Sequence, residues 1–358
     1  MTSLPVRAEL TKLGALLLLD PKDLAYLSHL DASVIRKFRE DAMDMMFAAD
    51  RKRLEGSAAA TRMVPAAISA KIATLVIPPR LAARVAGLTE SGKAVDLASR
   101  LPVKYLADVA PFLDPRRVSA ILGEVPNELV SEVAKILGRT GDYITMGRMV
   151  AHIKHEAIFQ TLAHLDDYTL LQAGFVIEDT SRMPEIIHML PEHRLISITE
   201  VADERGHWLE AMGLLDNLDD SLRRHLVNLV ARQPHLMNGL VKCAYDEDLW
   251  DVALPLAPLM TEESLQTFVH VDVLHQREVV ESLVDAAARL DLWEHVNPLL
   301  PLVDSNLGAH LAHALAGISD EHLDRLVGEV TRAGLKDALD AVALHDEKLA
   351  ERIAHRNA

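Results

Sequence analysis

Seventeen histidines and a single cysteine are the side chains here most able to do chemistry. His152 and His155 lie three residues apart, and so do His310 and His313. On a helix that spacing puts both rings on one face, close enough to clip a metal ion. A closed site needs further ligands. Glu156 follows the first pair and His322 trails the second, but nothing fixes a third or fourth partner. The His-Glu-x-x-His pattern of zinc peptidases is missing. The four histidines therefore stand as metal candidates only, and no cofactor is expected. The alternatives are solvated or core rings, or a pH response, since neighbouring carboxylates raise the pKa of histidine. Cys243 sits in LVKCAYDEDLW on an apolar stripe with Leu240 and Ala244. A reactive thiolate wants a cationic neighbour or a helix N-terminus, so a buried structural thiol is expected.

GRTGDYITMGR, residues 138–148, is the densest glycine cluster. It could be a loop for an anionic ligand, with Arg139 and Arg148 as partners. Alternatively, its glycines simply terminate helices. Basic residues cluster at Arg36, Lys37 and Arg39, and again at Arg51, Lys52 and Arg53. Such faces attract phosphate or anionic lipid by charge alone. Here Glu40, Asp41, Asp44 and Asp50 interleave, which suits an exposed helix face laced with ion pairs. Between the clusters lie Met43, Met45, Met46 and Phe47. Methionine-rich faces adapt to partners, although they also fill cores. The phosphate-binding glycine motifs and the nucleophile elbow are absent, so no enzyme is expected.

The elements that carry these residues are helical by composition. The 358-residue chain is 49 % hydrophobic but only 4 % aromatic, and Ala and Leu dominate. That mixture favours helices over strands. Its longest apolar run near the start, LGALLLL from Leu13, falls well short of the about 20 residues needed to cross a bilayer. No membrane insertion, no export signal and a cytoplasmic location are expected. A net charge of −16 hides an asymmetry: residues 1–120 hold 18 Lys/Arg against 13 Asp/Glu, and the remainder holds 19 against 40. Nucleic acid is not an expected partner of so acidic a surface.

Two of the three tryptophans sit in near-copies of one phrase, DLWDVALPLAPL and DLWEHVNPLLPL. Trp250 and Trp293 are 43 residues apart, and Trp208 lies 42 before Trp250. After each comes an apolar segment, a polar break and a leucine: Leu222, Leu265 and Leu307. A period of about 40–47 residues is that of two- or three-helix repeats of the HEAT or armadillo type. The spacing predicts an all-α solenoid of short helix hairpins with a period of about 40–43 residues. Each Trp would fill the gap to the next unit, because one unit cannot bury its apolar face alone. Prolines in PLAPL and PLLPL fit helix ends or a kinked turn.

Upstream, LDPKDLAYLSHL and LDPRRVSAIL each place an Asp N-cap before Pro at the first helical position. Apolar residues recur three and four apart in the segments that follow, as at Leu129, Val133, Ile136 and Leu137. Residues 106–137, LADVAPFLDPRRVSAILGEVPNELVSEVAKIL, resemble the N-terminal cytoplasmic domain of the MgtE magnesium transporters. They are similar also to the helical repeats of the flagellar switch protein FliG. The resemblance is best over roughly 80–200 and implies a right-handed superhelix used as a sensor or docking scaffold. No CBS-like region and no transmembrane domain accompany it. None of that family's magnesium-sensing acidic residues is carried over.

Three regions are expected: a helical extension over 1–62 closing with a hinge in EGSAAATR, repeats resembling the MgtE N-terminal domain over 63–200, and Trp-marked repeats over 201–358 that continue them as one array. Two functions fit. One is a non-enzymatic scaffold or adaptor that docks a protein with a basic contact face on an acidic surface. Its candidate residues are Asp219 and Asp220, Glu262 and Glu263, and Asp320 and Glu321, at successive helix starts. Met43, Met46 and Phe47 would meet a partner or a second copy, making a homodimer through the N-terminal helix. The alternative is a cytoplasmic Mg²⁺ or ligand sensor of the MgtE type.

Overall fold

A computed structural model describes residues 3–61 and 66–357, and the side chains of residues 3–49 and 67–356. Helix makes up 81 % of the described residues, and none of them lies in a strand. No described helix is long and apolar enough to cross a membrane. The chain divides into two compact units, Met1–Pro191 and Glu192–Ala358.

The first unit contains α1 (Leu4–Leu17), α2 (Ala32–Thr61), α3 (Ala66–Val76), α4 (Pro79–Ala86), α5 (Ser91–Ala98) and α6 (Val103–Val109). It continues with α7 (Pro115–Leu122), α8 (Asn127–Thr140), α9 (Tyr143–Met149), α10 (His155–Leu162), α11 (Asp167–Phe175) and α12 (Met183–Met189). From Pro79 to Asn127 a helix begins every 12 residues. Prolines 78, 102 and 126 supply the extended residue before α4, α6 and α8, where a fixed φ and a missing donor cost nothing. Each helix packs on the next but one. The even-numbered helices from α2 to α12 form one row, and the odd-numbered helices from α3 to α11 form another. Asp114 caps α7, accepting from the Arg116 N–H at 3.1 Å, as its Asp-Pro pair predicts. Pro21–Leu27 is a 3₁₀ turn rather than an α-helix. The hinge expected in EGSAAATR is not a break, since residues 55–61 continue α2. Arg62 and the side chains of Arg51, Lys52 and Arg53 lie outside what is described.

The second unit is four triplets. A long helix comes first in each: α13 (Glu192–Arg205), α16 (Pro234–Asp246), α19 (Arg277–Leu290) and α22 (Asp320–Arg332). A short one follows: α14 (Trp208–Asp216), α17 (Trp250–Ala253), α20 (Trp293–Val296) and α23 (Lys336–Ala343). The third members are α15 (Asp220–Ala231), α18 (Glu262–Val269), α21 (Ser305–Gly317) and α24 (Glu347–Asn357). The proline-bearing stretches after α17 and α20 tighten into 3₁₀ turns over Leu254–Leu259 and Asn297–Leu302.

Two local devices recur in every triplet. The long helix ends at a left-handed residue: Gly206, Asp248, Asp291 and Gly334, with φ of 71°, 50°, 55° and 71°. The next N–H then donates back to a buried small residue, Ala202, Ala244, Ala287 or Val330, at 2.7–2.9 Å. The third helix is capped in turn by Asp219, Thr261, Asp304 and Asp346, whose side chains accept from Leu222, Ser264, Leu307 and Leu349 N–H. This places Ser264, not Leu265, in register with Leu222 and Leu307. The principal contacts join only consecutive triplets, as where α14 meets α16, α17 meets α19 and α20 meets α22.

Candidate functional site

Trp208, Trp250 and Trp293 each open the short helix of a triplet and are 8 %, 0 % and 1 % exposed. Their indole N–H groups differ. Trp250 Nε1 donates across to Ser282 Oγ on α19 at 3.0 Å, and Trp208 donates back to Asp203 at 2.8 Å. Trp293 Nε1 is buried with no acceptor among the described residues. In the fourth triplet Lys336 stands at the Trp position and is exposed. Trp208 lies so close to Gly239 on α16 that a Cβ there would collide with the indole and with Asp203 Oδ1.

Of the acidic helix starts, Asp219 is consumed as a cap. Asp220 lies 3.9 Å from Arg223. Asp320 takes Arg352 and Arg356 at 2.8 Å each, and these hydrogen bonds hold its carboxyl below the usual carboxylate range. Glu321 pairs with Arg325 at 2.7 Å. Glu262 and Glu263 are exposed in the first turn of α18, and neither side chain makes an ion pair or hydrogen bond among the described residues. They favour the positive end of the α18 dipole by about 0.3–1 kcal/mol each and remain open on their outer side.

The histidine pairs part company. His152 ends a 3₁₀ turn and His155 begins α10 beyond the extended Ile153, so they do not share a helix face. His152 meets Ser119 Oγ at 3.0 Å, and His155 meets Glu185. His310 and His313 both lie on α21, where His313 contacts Arg277 and lies 3.7 Å from Asp346. Among the described residues no group of three or more His, Cys, Asp or Glu side chains is placed to hold a metal ion. Cys243 is buried on α16.

The first unit carries a cavity of about 300 Å³, open to solvent and lined on one side by Met43, Met46 and Phe47 of α2. The residues expected to meet a partner thus face a cavity of their own unit. Phe112 and Leu113 add to its apolar wall. The glycine-rich segment contributes as well. Gly141 ends α8 at φ 74°, Asp142 caps α9, and α9 carries Arg148 into the lining. Arg139, its proposed companion, is not in the lining.

In and behind the cavity wall the sequence hides charges that periodicity alone would place outside. Glu9, Lys12 and Arg39 are 1 %, 3 % and 2 % exposed. Glu9 holds Lys12 at 2.9 Å, Arg36 at 3.1 Å and Arg39 at 3.3 Å. Arg39 reaches Glu178 at 2.8 Å, with Arg148 3.6 Å from the same oxygen. The pair Glu9–Lys12 is lopsided. Burial pushes Glu9 up, but Lys12, Arg39 and Arg36 outweigh it and hold the carboxyl below its usual range. Burial pulls Lys12 down, and Glu9 does not fully restore it while Arg39 repels it. Burial also lowers Arg148, against the pull of Glu178. Of the first basic cluster, only Lys37 makes the surface helix pair expected of it, 3.5 Å from Asp41.

No family model, curated protein or solved structure matches this chain.

Proposed function

We propose that the protein is a non-enzymatic helical scaffold that docks a protein partner, and that each unit, taken by itself, is a right-handed superhelical stack of short helices. Packing of each element on its neighbours along the chain supports the stack, as does the recurrence of one cap and one left-handed stop in four triplets. Glu262 and Glu263 carry the docking proposal: of the six candidate acids they alone are exposed and without a cationic or capping role. An acidic edge left open in this way selects a basic contact face. Such complementarity speeds encounter and fixes partner choice more than it adds affinity, and salt screens it.

Affinity capture with the full-length protein, its partner identified and the salt raised stepwise, tests this. The expected partner presents a basic face and dissociates as salt rises. Retention that is indifferent to salt, or a partner with an acidic face, would overturn the proposal.

A further inference from the structure

Six cationic side chains line the cavity of the first unit: Lys12, Arg39, Arg80, Arg84, Arg117 and Arg148. Only two acids, Asp114 and Asp142, share the lining, and both are already engaged. Asp142 accepts from Thr145 N–H at 3.1 Å and Thr145 Oγ1 at 2.8 Å. Asp114 accepts from Arg116, with Arg117 at 3.4 Å, and Arg117 also donates to Asp44, outside the lining, at 2.7 Å. The carboxylates behind the wall are shared as well, Glu9 among three cations and Glu178 between two. Moreover, the Nε groups of Arg39 and Arg148 are buried with no hydrogen bond to an acceptor among the described residues, Arg148 Nε lying 3.6 Å from Glu178 Oε1, beyond hydrogen-bond length. Guanidinium N–H groups buried in this way call for an acceptor. Water would accept the hydrogen bonds but would bring no negative charge to a lining rich in cations.

A charged acceptor answers both needs. Guanidinium forks match oxyanions, and a phosphomonoester brings close to two negative charges and three acceptor oxygens. The remainder of the wall is apolar. Met43, Met46, Phe47 and Phe112 stand beside the cations, with Arg117 over the Phe47 ring at 3.9 Å and Arg80 over Phe112 at 5.4 Å. Inorganic phosphate would leave that wall uncovered. A volume of about 300 Å³ suits a small organic ligand. We propose that this cavity binds a soluble phosphomonoester bearing an apolar or aromatic group, with Arg39 and Arg148 holding the phosphate and the Met and Phe side chains holding the rest.

Isothermal titration of the full-length protein tests this, with phenyl phosphate, inorganic phosphate and phenol as probes at one ionic strength. Phenyl phosphate is expected to bind saturably and at least roughly tenfold tighter than either of the others. Arg148→Gln should weaken it by roughly tenfold or more, as loss of a charge-assisted contact does. Met46→Glu puts a carboxylate at an exposed part of the lining, where folding tolerates it, and should weaken binding comparably. Sedimentation with phosphatidic acid vesicles separates a lipid headgroup from a soluble ligand. No saturable heat from phenyl phosphate, equal binding of inorganic phosphate, binding unchanged in Met46→Glu, or binding to vesicles alone would each overturn the proposal.

Discussion

Residues 1–191 hold 23 Lys/Arg against 23 Asp/Glu, while residues 192–358 hold 14 against 30 and so carry the whole net charge of −16. Their interiors reverse that order. Glu9, Lys12 and Arg39 are all buried in the first unit, where α1 packs on α2. The second unit buries Trp250, Trp293, Phe268 and a run of leucines, and keeps its charges outside. An interior filled by large apolar side chains completes itself, and its charge is then free to act at the surface. An interior holding surplus cations around a cavity is completed from outside. On the proposals above, the first unit takes a small ligand and the second a protein partner.

The two interiors should break differently. Glu9→Gln removes the carboxylate shared by Lys12, Arg36 and Arg39, and a buried charge left uncompensated costs about 3–5 kcal/mol. Because Glu9 is held below its ordinary value of 4.5, its contribution is full above that pH. It is lost as the pH falls through the folded value. Urea unfolding across acid pH should therefore show a steep loss below about 4.5 in the wild type and a shallower one in the variant. Equal acid limbs would contradict the buried network. Trp250→Ala should cost a similar 3–5 kcal/mol through a cavity, but with no pH dependence of its own. Should that loss titrate with Glu9, the apolar account of the second unit fails.

A smaller effect tests how closely the second unit is packed. Gly239→Ala forces a Cβ against the Trp208 indole and Asp203, and overpacking of that kind costs about 1–3 kcal/mol. An unchanged midpoint in thermal melting would mean that Trp208 does not seat against α16 as described.

The second unit was legible because its marker is large and rare. Three tryptophans fixed a 42–43-residue step, and the structure opens a helix at each. The fourth triplet escaped notice because Lys336 stands where the others carry Trp. The signal was nevertheless present: Gly334-Leu335-Lys336 parallels Asp291-Leu292-Trp293, and the left-handed stop needs Gly or Asp rather than an aromatic ring. In the first unit the prolines at 78, 102 and 126 announce a 24-residue, two-helix step that hydrophobic spacing alone does not. In MPEIIHMLPEHRLISI, residues 183–198, the apolar spacing runs on but the helix parts before Pro191, since the residue before a proline is driven out of the helical region. The cavity was hardest to foresee. Glu9, Lys12 and Arg39 look like surface residues in sequence, and only the packing of α1 on α2 puts them inside.

The account stands most directly on the open acidic pair at the start of α18. Glu262→Lys with Glu263→Lys should lower stability by only about 0.3–1 kcal/mol per site, the size of a helix-dipole effect. Titrating the captured partner against wild type and double variant, with melting temperatures recorded for both, separates stability from docking. The expected result is a loss of affinity far beyond the stability change, together with a flatter salt dependence. Unaltered affinity and salt dependence in a folded double variant would contradict docking at this edge.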